Sequence, residues 1–188
     1  RDWPNCTVIA DEIYDALDFS GDQRSVASLS DEVPVVTLNG VSKVHFAPGW
    51  RIGYMAFFDP RGTLGAPRDG VERILRSRLC ASTPAQYGYL AGLEHDRLWL
   101  KERLRVIERK VELCMNRIEG IEGLSCNRPG GAFYLFPKIE NPSKYGSDKK
   151  FVLDLLHEEH VLVVHGSGFS PQYGSGHFRL VALAPEEL

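Results

Sequence analysis

No run of apolar residues in the 188-residue chain approaches the length needed to cross a bilayer, so no membrane span is expected. The N-terminus, RDWPNC, has no basic segment leading into an apolar one, and no signal peptide is legible. Charge of one sign is also lacking: 22 Lys and Arg face 25 Asp and Glu, for a formal net charge of -3. That balance gives neither nucleic acid nor an anionic membrane a reason to bind. The four cysteines, Cys6, Cys80, Cys114 and Cys126, form no CxxC pair and no cluster with histidine. A disulfide framework and a zinc site are therefore not expected; free, buried thiols in a cytoplasmic protein are. In HEEHVLVVH, His157 and His160 do not make HExxH, so no metal is assigned and both read as helix-surface residues. The glycines of GSGFSPQYGSGH do not make GxGxxG, and that segment reads as a loop. Internal repeats and low-complexity tracts are missing too.

What is present is an ordinary globular composition, 43% hydrophobic and 25% charged. Thr7 to Ala10 is a short continuous apolar run, the pattern of a strand buried on both faces. Pro34 to Gly40 and Arg51 to Asp59 read as two more strands. FSGDQRSVASLSDE, between the first two, suits a loop with a short helix. Near-continuous strands separated by helical material predict a mostly parallel α/β sheet. Pro60 to Gly70 reads as a loop, after which the period changes. Leu100, Leu104, Ile107, Val111, Cys114 and Ile118 step by threes and fours, giving the apolar stripe of a long helix with charge on its other faces. Beyond it, AFYLFP, VLVVHG and HFRLVAL read as strands and KKFVLDLLHEEH as a helix, a second and smaller α/β unit. The expected division is 1–108 and 109–188, with the long helix joining the two units. The first strand begins abruptly, and APEEL reads as the first turn of a helix that then stops. The chain is expected to be a piece of a longer protein, its final helix mostly missing.

Lys43 follows the second strand, at a carboxyl end, where open α/β sheets bind ligands. A lysine there can be an imine-forming nucleophile if its surroundings favour the neutral amine. Arg51, eight residues later, carries a planar fork suited to phosphate. Taken alone, both are better explained as exposed loop residues. Asp11 and Tyr14, in ADEIY, stand at the end of the first strand. A carboxylate there can keep a pyridinium nitrogen protonated, as pyridoxal 5'-phosphate (PLP) requires of its partner, and a phenol can bond the ring's O3'. An acid after a strand is also often no more than a helix-cap residue.

In order and spacing, ADEIY, NGVSKVHFAPGWRIGY, RPGGAFYLFP and GHFRLVAL resemble the fold-type-I PLP-dependent aminotransferases. More narrowly, they are similar to the class I/II group of alanine, aspartate and aromatic aminotransferases. The likeness covers essentially the whole chain, and SK…GWRxGY is its most specific part. It implies the C-terminal part of a large PLP-binding domain followed by a small domain. It makes Lys43 the residue that binds PLP covalently and then carries the proton between the substrate's Cα and the cofactor's C4'. Asp11 would pair with the pyridinium nitrogen, Tyr14 would bond O3', and Arg51 would hold the phosphate with help from Ser42. In some members a serine lies three residues before the lysine; here that position is Gly40. Arg179, in HFRL, matches the arginine that grips the substrate carboxylate; the plainer reading is an arginine snorkelling from a strand to water. Phe46 and Trp50 read as packing residues beside the site.

The resemblance also implies parts with no counterpart here: a turn of backbone amides for the phosphate, an aromatic ring stacked on the pyridine, and an asparagine on O3'. The sheet would keep an exposed edge. The expected activity is transamination between an L-amino acid and a 2-oxo acid, with alanine and 2-oxoglutarate as the pair, in a homodimer. The alternatives are a PLP-dependent C–S lyase, a cyclopropane-carboxylate synthase, or a non-catalytic fragment.

Overall fold

A computed structural model describes residues 6–95 and 98–185. The chain divides into two compact units, Arg1–Leu100 and Lys101–Leu188.

The first unit holds a three-stranded sheet of β1 (Val8–Asp11), β2 (Val35–Gly40) and β3 (Gly53–Phe58), in that order. β1 and β2 run parallel, with Val8 opposite Val35 and Asp11 opposite Leu38. β3 returns antiparallel to β2, pairing Val35 with Phe58 and Gly40 with Gly53. The α/β class holds, and within this unit the sheet is mixed, with one parallel and one antiparallel pair. The physical reason is the short link from Gly40 to Gly53, which suits an antiparallel return better than a crossover. β2 is central, and its Val35, Val36 and Thr37 are buried. Side chains are absent from the Gly40–Gly53 pair for a reason. A Cβ on Gly40 would lie 2.7 Å from the Ile52 carbonyl oxygen, and one on Gly53 would lie 2.6 Å from that of Asn39. Glycine lets the two strands close at this end.

Two helices follow, α1 (Gly65–Arg78) and α2 (Thr83–Glu94). The segment read as a loop to Gly70 thus turns helical at Gly65. Asp59 starts the turn, its carboxylate accepting the amides of Thr63 at 2.8 Å and Leu64 at 2.9 Å. Pro67 falls in the first helical turn, where its missing N–H costs nothing. The helix expected between β1 and β2 is a single 3-10 turn, Val26–Ser28.

The long helix α3 (Leu98–Glu119) carries the expected stripe. Leu100, Ile107, Val111 and Ile118 are buried, Leu104 and Cys114 are half-buried, and Met115 joins the buried face. In the second unit, β4 (Leu124–Ser125) pairs antiparallel with β6 (Lys138–Ile139). A second sheet has the order β5 (Tyr134–Leu135), β8 (Phe178–Val181), β7 (Val164–His165), all antiparallel. α4 (Asp148–Glu159) begins at Ser147, whose hydroxyl accepts the Lys150 amide at 3.1 Å. Ile139, Val152, Val163 and Phe178 form the core of this unit, with Phe151, Leu155 and Leu180 packed around it. Each such side chain, fully buried, contributes about 1.5–3 kcal/mol of transfer free energy.

The cysteine expectation needs correction. Cys6 and Cys80 are exposed, Cys114 and Cys126 half-buried, and all four are free thiols. The expected helical turn in APEEL starts at Pro185, and the rest of it, Glu186 to Leu188, lies outside the described residues. No helix among the described residues is long and apolar enough to cross a membrane.

Candidate functional site

The strand directions gather the sequence-predicted residues of the first unit at one end of its sheet. β1 and β2 leave the sheet there, at Asp11 and Gly40, and antiparallel β3 enters there at Gly53. The turns carrying Tyr14, Ser42, Lys43 and Arg51 therefore share that end.

Asp11 is exposed, and one of its carboxylate oxygens accepts the Ile13 amide at 3.3 Å. The next residue fixes the turn. Glu12 is buried, and its Oε1 accepts the Ser25 hydroxyl at 3.0 Å and the Val26 amide at 2.8 Å. The Glu12 amide donates to the Leu38 carbonyl at 2.9 Å, which holds the start of the turn against β2. Sequence reading passed over Glu12. The only signal was a second acid beside the first, and its partners lie 13 and 14 residues away.

Lys43 stands in a tight turn after β2. Buried Val41 and Val44 bracket half-buried Ser42 and Lys43, so two apolar anchors fix the backbone beneath them. The turn closes through the Val41 amide on the Ile52 carbonyl at 3.2 Å and the Ala47 amide on the Val41 carbonyl at 3.2 Å. Lys43 Nζ lies 5.7 Å from the centroid of the Tyr14 ring, within range of a cation–π contact. The lysine and the phenol are thus neighbours.

Arg51 follows the 3-10 turn Pro48–Trp50 and adopts a left-handed backbone, φ 53°. It is exposed, and its Nη1 donates to the Pro48 carbonyl at 2.7 Å. Phe46 shares the left-handed conformation at φ 52°. Two such residues in one loop mark a backbone held in place by its surroundings. Trp50 packs as expected on one side: its ring lies so close to Gly88 of α2 that a Cβ there would be 2.5 Å away. The rest of the ring is exposed, and so is Phe46. Sequence reading also missed His45, which meets the Tyr89 ring edge-on at 5.4 Å and lies 5.9 Å from Trp99.

Arg179 lies in the second unit, on β8. Its Cζ is 4.9 Å from the centroid of the Tyr134 ring and 4.6 Å from that of Phe169. Its Nε is buried with no hydrogen-bond partner. The side chain as a whole is half-buried. An aromatic-flanked guanidinium with a buried donor left over suits a planar anion such as a carboxylate. An open apolar groove of about 1500 Å³ in the same unit is lined by residues including Cys114, Ile118, Phe151 and Val163. Arg179 is not among them.

The first-unit set is one carboxylate, one phenol, one amine, one hydroxyl and one guanidinium at a single sheet end. It matches what PLP asks of its partners at the pyridine nitrogen, O3', C4' and phosphate. No group of three or more His, Cys, Asp or Glu among the described residues is placed to hold a metal.

Comparison with known proteins agrees with that chemistry. The profile of the family described as "Aminotransferase class I and II" matches residues 2–188. The chain is 36% identical over 184 residues to the glutamate-pyruvate aminotransferase AlaA of Haemophilus influenzae, covering 95% of this chain and 45% of that protein. It is 36% identical over 172 residues to the aspartate aminotransferase of Bacillus subtilis, covering 88% of this chain and 42% of that one. Among solved structures, an alanine aminotransferase from Pyrococcus furiosus superposes with a TM-score of 0.91 at 49% identity. That match covers 96% of this chain and 46% of the other. The chain thus spans less than half the length of the relatives it matches. With the lysine, its phenol neighbour and the acid together at one sheet end, the chain belongs to the class I and II aminotransferases, a PLP-dependent family.

Proposed function

We propose that this chain is the C-terminal portion of an aminotransferase that moves an amino group between an L-amino acid and a 2-oxo acid. Alanine and 2-oxoglutarate are the proposed pair. The observation that carries the reading is the gathering of Asp11, Tyr14 and Lys43 at one end of the sheet, with Lys43 Nζ 5.7 Å from the Tyr14 ring. PLP, when bound, supplies an electron sink for charge developing at the substrate's Cα.

In this reading Asp11 accepts a hydrogen bond from the protonated pyridine nitrogen. The Tyr14 hydroxyl donates to O3', and Arg51 and Ser42 hold the phosphate. Lys43, on its turn anchored by Val41 and Val44, would hold the cofactor and supply the amine that moves a proton at the substrate's Cα. Arg179 binds the substrate carboxylate with its planar fork. The rest of the polypeptide completes the site, the enzyme works as a homodimer, and its place is the cytoplasm.

The choice of alanine is supported by the Pyrococcus and Haemophilus relatives, whose names specify alanine or glutamate and pyruvate. The Bacillus relative, equally identical over a shorter span, is named for aspartate. A panel of L-amino acids with 2-oxoglutarate, run on the full-length protein, tests the assignment. Alanine is expected to be the best donor. Preference for aspartate or an aromatic donor overturns the substrate assignment, and release of pyruvate and ammonia without an oxo-acid acceptor makes the enzyme a lyase.

A further inference from the structure

Asp148 has no part in that chemistry, yet at 4% exposure it is the most buried carboxylate among the described residues. It is the first residue of α4, and its Oδ2 accepts the Ser167 amide at 2.7 Å across a 19-residue separation. Ser167 Oγ in turn lies 3.0 Å from His165 Nδ1. Burial alone would raise the Asp148 carboxyl. The Ser167 amide and hydroxyl, the Lys149 amide and the charge of His165 outweigh it and hold the group below its ordinary value. The carboxylate is therefore the stable form, and it is directed at one loop.

That loop leads to Arg179. Ser167 is the middle residue of the 3-10 turn Gly166–Gly168, and Phe169 closes the turn by donating its amide to the Gly166 carbonyl at 2.9 Å. On its other side the turn is pressed against the backbone. The Gly166 amide donates to the His177 carbonyl at 2.7 Å, and a Cβ on Gly166 would lie 2.2 Å from the Gly174 carbonyl oxygen. A turn clamped from both sides presents the Phe169 ring 4.6 Å from Arg179 Cζ. Arg179 Nε has no hydrogen-bond partner, and the rings of Tyr134 and Phe169 flank the guanidinium.

We infer that Asp148 is a positioning residue for the carboxylate site: through the Ser167 amide it fixes the 166–169 turn, and through that turn the Phe169 ring that sets the Arg179 guanidinium. The inference rests on the reading of Arg179 as the substrate-carboxylate grip. If Asp148 only tethers α4, its loss lowers stability and leaves carboxylate binding alone.

The test uses the full-length, PLP-loaded protein. Glutarate, a dicarboxylate with no amino or oxo group to react, is the probe, and its Kd is read by calorimetry alongside KM and kcat. Asp148→Ser keeps a residue suited to a helix start but is too short to reach the Ser167 amide. It is expected to weaken glutarate binding roughly tenfold, the scale of one lost charge-assisted hydrogen bond. KM for the oxo acid should rise by a similar factor, with kcat within about twofold. Asp148→Asn retains an acceptor oxygen and should recover most of the affinity. Arg179→Ala should abolish glutarate binding; if it binds like wild type, the reading of Arg179 fails instead. If Arg179→Ala loses binding while Asp148→Ser unfolds earlier at unchanged Kd, the inference is overturned. Should Asp148→Ser not fold, Phe169→Leu tests the same link, and an unchanged Kd there overturns it equally.

Discussion

Replacing Gly53 by alanine should damage the sheet at the end where the site residues gather. The added methyl would stand 2.6 Å from the Asn39 carbonyl oxygen, and that oxygen belongs to backbone. Asn39 faces Tyr54 in the β2–β3 ladder, so relief requires the strands to part by several tenths of an ångström at the Gly40–Gly53 pair. Overpacking of this kind costs about 1–3 kcal/mol. Against it stands a gain of about 0.4–1 kcal/mol from a stiffer unfolded chain. The net expectation is a loss of roughly 1–2 kcal/mol in urea-induced unfolding. Gly49 provides the control. It lies in the 3-10 turn just before β3, and a Cβ there meets nothing within 4 Å. Gly49→Ala should therefore be neutral or slightly stabilising. Equal stability of Gly53→Ala and Gly49→Ala would refute the claim that close strand approach is what requires glycine here.

Two further outcomes follow from the same reasoning. Gly70, inside α1 with open space around its Cα, should gain about 1 kcal/mol on Gly70→Ala in thermal or urea unfolding. Asp148 has a folded-state carboxyl lowered from 3.8, so its contribution is complete above that value and disappears as pH falls through the lower folded value. Unfolding midpoints measured from pH 6 down to pH 2 should thus show a smaller acid loss for Asp148→Asn than for wild type. Identical slopes would contradict that.

The sequence showed the parts whose signal is local. The stripe from Leu100 to Ile118 announced α3, and a lysine and an acid each placed after an apolar strand announced the sheet end. α1 was hidden because Gly65, Pro67 and Gly70 have loop composition, while the capping carboxylate of Asp59 that starts the turn lies outside the helix. The direction of β3 was decided by the length of its link to β2, which strand periodicity does not encode. Glu12 and Asp148 escaped notice because a buried carboxylate is recognised by its partners. Those partners, Ser25, Val26 and Ser167, come from loops far along the chain. The ring contacts of Arg179 were likewise out of reach, since Tyr134 and Phe169 meet it only through the pairing of β5 with β8 and the fold of the 166–169 turn. Residue types at strand ends were legible, and the scaffolding that holds them was not.

Lys43 is the residue proposed to bind PLP covalently. The most direct measurement is the visible absorption of lysine-bound PLP on mixing cofactor with the full-length protein, compared between wild type and Lys43→Ala. A band that survives dialysis is expected in wild type and not in the variant, with equal unfolding midpoints for the two proteins before PLP is added. The same band in both proteins would contradict it.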